Sequence, residues 1–256
     1  MPKKKLTIVV LAVTICLYVS VPLWVYFMAA TPSDPLYGGF SGGVTSIGMT
    51  CMNGRADHTL SFAPANGMVC EVGVGRGVLA NRALARGYRY LGVDIDEAVR
   101  LYTSADVVIQ LAPPLPDMDP DIIVMESLLE HMPDYGSAKA LIVECYEKLQ
   151  PGGRVVIRVP EIRYAKWRFW DGAPDHAWVT STRRVTTVAR MVGFQIIEHG
   201  LYLDQFTGIS AKLVYWCKSL WPWQTIHNVL YEPWQESAFS KIHEKIPSAY
   251  IVLEKM

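Results

Sequence analysis

The sequence predicts an α/β domain built on a mostly parallel sheet with helices on both faces. Apolar runs typical of strands alternate with helical runs from Gly67 onward. The first of these runs, Met68 to Val72, breaks into a glycine-rich turn that opens a helix. Hydrophobic residues make up 51% of the 256-residue chain and charged residues 19%, so the chain can bury a large core.

Each element follows from a local pattern. The strand at Met68 to Val72 leads into a helix from about Gly77 to Arg86, which Gly87 ends as a C′ glycine. Asp96 can cap a short helix after the second strand. The other predicted strands lie at residues 88–93, 107–110, 121–125, 154–160, 195–201 and 249–254, and the other helices at 137–149 and 180–191.

Charge and cysteine content exclude some classes of function. The 24 basic and 24 acidic residues cancel, so no global field attracts a nucleic-acid backbone and no nucleic-acid partner is expected. The five cysteines contain no Cys-x-x-Cys pair, and four of the histidines, His58, His199, His227 and His243, show no spacing typical of metal ligands. No metal site is therefore predicted.

Residues 1–30 are predicted to be a membrane anchor. An uncharged run from Leu6 to Ala30 follows three lysines. As a helix it would be about 37 Å long, enough to cross an apolar core of about 30 Å. A cleaved signal peptide is the alternative. By the positive-inside rule the lysines favour placing the domain on the non-cytoplasmic side, and the orientation is left open.

Two further segments lie outside the alternating pattern. Residues 31–65 are rich in Gly, Ser, Thr and Pro and are predicted to be a linker with a short lead-in, before a domain at residues 66–256. Residues 204–247 form a long, tryptophan-rich insertion before the last strand. This insertion is interpreted as a small helical cap, which packs its own aromatics, contacts a membrane interface or covers an apolar substrate.

The glycine turn is predicted to bind a ligand. Gly73, Gly75 and Gly77 follow the acid Glu71 and open a helix, whose N–H groups can face a ligand. A dinucleotide enzyme would have Gly-x-Gly-x-x-Gly, but Val78 takes the third glycine position. An acid before the turn also suits a cation better than a pyrophosphate. A nicotinamide-dependent oxidoreductase is therefore the less favoured alternative.

Four motifs occur in order: EVGVGRG, GVDID, DIIVMESLLEH and LQPGGRVVIRVPE. Together they resemble class I S-adenosylmethionine-dependent methyltransferases, in particular the small-molecule group that includes quinone-biosynthesis enzymes. The resemblance covers about Gly67 to Leu201 and the final strand. It implies a Rossmann-like, seven-stranded sheet with an antiparallel last strand, and S-adenosyl-L-methionine as the cofactor.

The resemblance also implies a cofactor site. Glu71 and the turn from Gly73 to Gly77, including Val74 and Gly75, would hold the methionine end of the cofactor. Asp94 would hold the ribose hydroxyls, with Ile95 beside the adenine. The family often has an acid after the third strand that bonds the adenine amino group. Here the nearest match is Gln110, whose amide can still accept that bond.

The acceptor side is implied by residues after the fourth and fifth strands. Glu126 and Ser127 would face the methionine moiety and the substrate. If the acceptor is a hydroxyl, a base must remove its proton, and His131 and His176 are the candidates. The histidine at 131 could instead be a packed helix-terminal residue. Four aromatic residues flank His176 and could line a pocket or pack the loop: Trp167, Phe169, Trp170 and Trp178.

The sequence as a whole predicts a membrane-anchored methyltransferase that modifies oxygen or nitrogen of a small or lipid-like acceptor. A non-catalytic scaffold that kept the fold and its cofactor is the alternative from another class. The intact Glu71, Gly73, Gly75 and Asp94 argue against a scaffold.

Overall fold

The computed structural model describes residues 46–166, 168–171, 175–203, 206–219 and 247–256. The chain divides into two compact units. One unit comprises Cys51–Gly208 and Ile246–Met256 and contains the sheet. The other comprises Met1–Thr50 and Ile209–Lys245, of which the structure describes residues 46–50 and 209–219 as helix.

One sheet forms the centre of the first unit. Its strands are β1 (Met68–Val72), β2 (Arg89–Asp94), β3 (Val107–Ile109), β4 (Ile122–Glu126), β5 (Arg154–Pro160), β6 (Phe194–Leu203), β7 (Phe206–Thr207) and β8 (Ser248–Lys255). Their order is β3-β2-β1-β4-β5-β8-β6-β7. Strands β1 to β5 pair in parallel, and β8 is antiparallel to both β5 and β6. The predicted mixed sheet with an antiparallel last strand is confirmed, and the two-residue β7 is an addition.

Helices cover both faces of the sheet. They are α1 (Ser46–Leu60), α2 (Val78–Ala85), α3 (Tyr135–Lys148), α4 (Ile162–Ala165), α5 (Arg168–Asp171) and α6 (Thr182–Val192), with 3-10 helices at Glu97–Leu101 and Leu129–His131. The remaining described helix, α7 (Gly208–Ser219), belongs to the second unit from Ile209 onward. Short polar side chains begin α3 and α6: Asp134 accepts from the Ser137 N–H at 2.7 Å, and Ser181 from the Arg184 N–H at 3.1 Å. The capping prediction for Asp96 agrees with the structure, since its carboxylate accepts from the Ala98 N–H.

Helix α1 occupies part of the segment predicted to be a linker and lead-in. Its sequence, SIGMTCMNGRADHTL, contains glycine, asparagine, aspartate and threonine, which are weak helix formers, so propensity did not reveal it. Tertiary contacts stabilise the helix instead. Ala56 and Leu60 are buried, and Asp57 pairs with Arg82 of α2 at 2.6 Å and with Arg86, the C-cap of α2, at 2.8 Å. The compact unit thus includes residues before position 66.

The core has two layers, one on each face of the sheet. On one face, Val69, Val124 and Val252 belong to a buried cluster with residues of α1 and α2. On the other face, the central strands pack against α3 and α6 in a larger cluster that includes Ile123 and Leu141. Both faces are buried because crossover helices cover a parallel sheet on each side.

The carboxyl ends of β1, β2 and β4 lie at the same end of the sheet, because β1 pairs in parallel with both β2 and β4.

The predicted anchor lies outside the described residues, and so does most of the insertion at 204–247. Within the part of the chain that the structure describes, no helix has the length and apolar character needed to cross a membrane. The insertion is represented by β7 and α7. On α7, Ile209, Leu213 and Trp216 are exposed apolar side chains at helical spacing.

Two glycines should respond oppositely to alanine. A Cβ at Gly92 in β2 would lie 2.5 Å from Val74 Cγ2, whereas one at Gly54 in α1 meets nothing within 4 Å. We expect Gly92→Ala to lower the free energy of unfolding by about 1–3 kcal/mol through overpacking. Gly54→Ala should raise it by about 0.5–1 kcal/mol by restricting the unfolded chain. Urea unfolding of both variants measures this, and equal effects would contradict the packing described.

Candidate functional site

The turn after β1 uses glycine for geometric reasons. Gly73, Gly75 and Gly77 have φ angles of 84°, 54° and 63°, in the left-handed region that favours glycine. A Cβ at Gly77 would lie 2.8 Å from Thr103 Cβ, so the turn also packs closely there. At Gly75 a Cβ would meet nothing within 4 Å. The backbone at Gly75 therefore faces open space that a ligand can enter.

Helix α2 begins directly after this turn. Its N-cap is Gly77, and no side chain caps its first N–H groups, which leaves them for a ligand. Val74 was predicted to contact the cofactor. Its side chain is buried against Val99 and Val107, so only its backbone is available to a ligand.

Glu71 lies near the end of β1 and is only 4% exposed. The Tyr90 hydroxyl donates to Glu71 Oε2 at 2.5 Å. Burial raises the pKa of Glu71 well above its ordinary value; the Tyr90 hydrogen bond opposes this, and Glu126 and Asp94 add to it. A cationic ligand beside this carboxyl group would favour its ionised form. The environment of Glu71 is therefore suited to a positive charge.

Asp94 ends β2 and faces the glycine turn. Its Oδ2 accepts from the Gly75 N–H at 3.2 Å and its Oδ1 from the Asp96 N–H at 3.0 Å. These two bonds fix the carboxylate, which has about four acceptor positions and can still bind two ribose hydroxyls. Ile95 follows and is 69% exposed, which offers an apolar surface to an adenine ring.

Gln110 lies beside Asp94 at the end of the neighbouring strand. Its backbone N–H donates to the Asp94 carbonyl at 2.8 Å. Its side-chain Nε2 donates to the Pro114 carbonyl, so Oε1 is oriented as the acceptor. Leu111 follows and is exposed, like Ile95 after the adjacent strand. This arrangement suits a flat ring with an amino group at its edge.

Glu126 is held by protein side chains. Its Oε1 lies 3.0 Å from Arg158 Nε and accepts from the Thr59 hydroxyl at 3.0 Å. Its Oε2 lies 3.4 Å from Arg55 Nε. Ser127, the next residue, has a φ of 52°, an uncommon conformation for a residue with a side chain. The carboxylate predicted to face the methionine moiety thus also joins α1, β4 and β5.

Arg158 is a buried arginine, 2% exposed, at the carboxyl end of β5. Its Nη2 lies 2.9 Å from His58 Nδ1 and donates to the Thr59 hydroxyl at 3.2 Å. The guanidinium lies over the Tyr202 ring, 4.3 Å from its centroid. Burial lowers the pKa of Arg158, and the Glu126 carboxylate counteracts this shift. Among the described residues, Arg158 Nη1 has no hydrogen-bond partner.

Three residues of this network were missed by the sequence analysis. Arg55 and His58 lie on α1, which was predicted to be linker, so no pattern placed them near the site. The sequence did contain an indication that Arg158 belongs to a polar network. This residue interrupts the apolar run RVVIRVP near the carboxyl end of a buried strand, and a charge there requires a partner. The β-sheet register places it opposite Glu126.

The structure brings together the two histidines predicted to face the acceptor. His131 ends a 3-10 helix after β4, and its ring centroid lies 4.8 Å from that of His176. His131 Nδ1 lies 2.7 Å from Asp175 Oδ2, and His176 Nδ1 lies 2.6 Å from the Phe169 carbonyl. Burial lowers the pKa of His176. Both rings are therefore oriented by acceptors at Nδ1.

Glu130 adds a buried acid that the sequence analysis did not identify. It is 1% exposed, and burial raises its pKa to about 8. The backbone N–H groups of Ala177 and Trp178 donate to its carbonyl at 2.9 Å and 3.1 Å. These bonds join the segment after β4 to the segment that carries His176. Glu130 directly precedes His131 in the motif DIIVMESLLEH, from which the sequence analysis selected the histidine but not the acid.

The aromatic residues near His176 mostly pack the loop. Phe169 and Trp178 are buried, whereas Trp170 is partly exposed. The rings of Phe169 and His176 lie 4.8 Å apart. Trp167 lies outside the described residues. Of the three described aromatics that flank His176, Trp170 is the one with an exposed ring.

The site therefore has two parts along the carboxyl edge of the sheet. One has a glycine turn, a buried acid and a fixed aspartate, a combination suited to a cationic ligand that contains a ribose. The other has paired histidines beside acids, which suit activation of a hydroxyl. The fold and the site together define a cofactor-dependent α/β enzyme domain.

Comparison with known proteins identifies the class. Residues 52–199 match the family model described as a methyltransferase domain. A probable S-adenosylmethionine-dependent methyltransferase of Mycolicibacterium smegmatis is 27% identical over 184 residues, 68% of this chain and 69% of its own. The ubiquinone biosynthesis O-methyltransferase of Idiomarina loihiensis is 29% identical over 125 residues, 43% of this chain and 50% of its own. This chain thus matches half the length of the latter relative.

A solved structure shows the same fold. The crystal structure of a SAM-dependent methyltransferase from Archaeoglobus fulgidus is 16% identical, with a TM-score of 0.57 over 81% of this chain and 94% of that one. The family model covers more than half of the chain, and the chain belongs to the methyltransferase-domain family. The resemblance to class I S-adenosylmethionine-dependent methyltransferases is confirmed, and with it the reaction class and the family's methyl donor.

Neighbouring aspartates at the end of β2 provide a test of the cofactor site. We expect Asp94→Ala to weaken binding of S-adenosylhomocysteine by about 100-fold or more, because two hydrogen bonds to a charged acceptor are lost. The control Asp96→Ala removes a helix cap and should cost about 1 kcal/mol of stability but change the affinity less than about twofold. Isothermal titration measures both. Equal affinities of the two variants would contradict the assignment.

Proposed function

We propose that the chain is a membrane-anchored methyltransferase that transfers the methyl group of S-adenosylmethionine to a hydroxyl of a small or lipid-like acceptor. The observation that carries this proposal is the pairing of His131 with Asp175, beside His176, after β4 and β5. Such a cluster suits a hydroxyl, which must lose its proton as the methyl group is transferred. The relative from Idiomarina loihiensis, named as an O-methyltransferase, supports the choice of oxygen.

The proposed roles at the donor end come from the resemblance to the family, and the site geometry supports them. Asp94 binds the two ribose hydroxyls, and Gln110 accepts from the adenine amino group. Ile95 packs against the adenine ring. The buried Glu71 and the backbone of Gly75 face the sulfonium and amino end, where positive charge is concentrated.

Arg55 adds a contact that the family motifs did not suggest for this chain. It lies on α1, 3.4 Å from Glu126 Oε2, and its positive charge lowers the pKa of Glu71. A guanidinium near the methionine end suits the cofactor's carboxylate. Arg55 and Glu71 would then hold the two charged groups of the methionine moiety.

The chemistry depends on alignment. The methyl carbon bonds to the acceptor oxygen while its bond to sulfur breaks, and the electron pair of that bond stays on the sulfur. The product is neutral S-adenosylhomocysteine, and the hydroxyl proton leaves on the acceptor side. Holding the oxygen, carbon and sulfur in line supplies much of the rate.

Membrane attachment is part of the proposal and rests on the sequence. The uncharged run from Leu6 to Ala30 is long enough to span a bilayer. The exposed apolar side chains on α7, with Trp216 among them, support a second contact at the membrane interface. A lipid-like acceptor would then reach the enzyme from the bilayer. The side of the membrane that the domain occupies is left open.

Histidine variants test the acceptor side. We expect His131→Gln and His176→Gln to lower methyl transfer to a catechol or demethylated quinol by about 100-fold, since activation of the hydroxyl is lost. The affinity for S-adenosylhomocysteine should stay within about twofold. The control is His199→Gln, a substitution at an exposed site on β6. Transfer of labelled methyl by the full chain in detergent measures the rates, and unchanged rates in both site variants would rule out this acceptor site.

A further inference from the structure

Three side chains at the acceptor site form a potential metal-ligand set. Glu130, His131 and His176 each bring one ligand atom within 4.8 Å of the others. They come from two segments that are joined by backbone hydrogen bonds to the Glu130 carbonyl. Ligand atoms around a bound metal lie about 3–3.5 Å apart, given metal–ligand distances of about 2.0–2.2 Å. Binding would therefore draw these side chains slightly closer.

Glu130 supplies an observation that itself points to a ligand. Its side chain is almost fully buried, and its Oε2 has no hydrogen-bond partner among the described residues. A buried acceptor without a partner is costly, and a native protein normally satisfies it with a donor, a water or an ion. The two imidazole rings lie beside it. A cation shared with these rings would satisfy the carboxylate oxygen.

The surroundings of the histidines match those of metal ligands. A histidine that binds a metal usually donates its other ring N–H to a carboxylate or a backbone carbonyl. His131 Nδ1 lies 2.7 Å from the Asp175 carboxylate, and His176 Nδ1 lies 2.6 Å from the Phe169 carbonyl. Both kinds of outer contact are present, one on each ring. They leave a ring nitrogen on each histidine to bind a ligand.

We propose that Glu130, His131 and His176 bind one divalent transition-metal ion, with Asp175 as the outer partner of His131. Two imidazoles and one carboxylate suit Zn²⁺, Mn²⁺ or Fe²⁺ and leave positions for the acceptor. This inference rests on the proposed function and deepens it. A hydroxyl bound to the ion loses its proton to water more readily, and its oxygen then attacks the methyl carbon.

Metal binding can be measured without any acceptor. The full chain, without an affinity tag and stripped with a chelator, is titrated with Zn²⁺ and with Mn²⁺ by calorimetry, and the Mn²⁺ complex is examined by electron paramagnetic resonance. We expect one ion per chain. Glu130→Gln and His176→Gln should lower the affinity at least tenfold, and Asp175→Asn about 10–100-fold. The control Glu97→Gln removes an exposed acid and should change nothing.

The outcomes separate this inference from the proposed function. Absence of binding, or binding that the three variants leave unchanged, would overturn the metal site. If methyl transfer nevertheless depends on His131 and His176, the histidines act as bases and the proposed function stands. If transfer is independent of both, the proposed acceptor site fails. Should the buried Glu130→Gln variant not fold, His176→Gln, in a partly exposed loop, still decides the result.

Discussion

The burial of Glu71 is the constraint on which the cofactor edge depends. A carboxyl group at 4% exposure, with a short bond from Tyr90, pays a large desolvation penalty when ionised. The glycine turn that follows β1 has open space at Gly75, where a ligand can approach the backbone. The same burial makes the ionised carboxyl group a strong partner for a cation. The turn, Asp94 and Arg55 are arranged around that position.

The row of ionisable side chains continues beyond Glu71 on the same face of the sheet. Glu126 and Arg158 pair across β4 and β5, and Arg158 contacts His58 and Thr59 on α1. This pairing ties α1 to the sheet at the point where Arg55 meets Glu126. A buried arginine with a single carboxylate partner is weak evidence for stability but good evidence for a fixed geometry. We therefore interpret Arg158 as a residue that holds α1 over the cofactor edge.

The parts that could be predicted are those in which local pattern and packing agree. The bounds of β1 and β5 were predicted correctly because apolar runs end at glycine or acid. Helix α1 could not be predicted, since tertiary ion pairs such as Asp57 with Arg82 stabilise it against weak propensity. The contact of His131 with Asp175, and the burial of Glu130, depend on how two loops meet. No periodicity encodes such a meeting, so the potential metal ligands emerged only from the structure.

The central claim is that the turn beside Glu71 holds a cationic, adenosine-containing methyl donor. Isothermal titration of the full chain with S-adenosylmethionine, S-adenosylhomocysteine and NAD tests it most directly. We expect one molecule of S-adenosylmethionine or S-adenosylhomocysteine to bind per chain and NAD not to compete. Binding of NAD without binding of either sulfur compound would contradict the account.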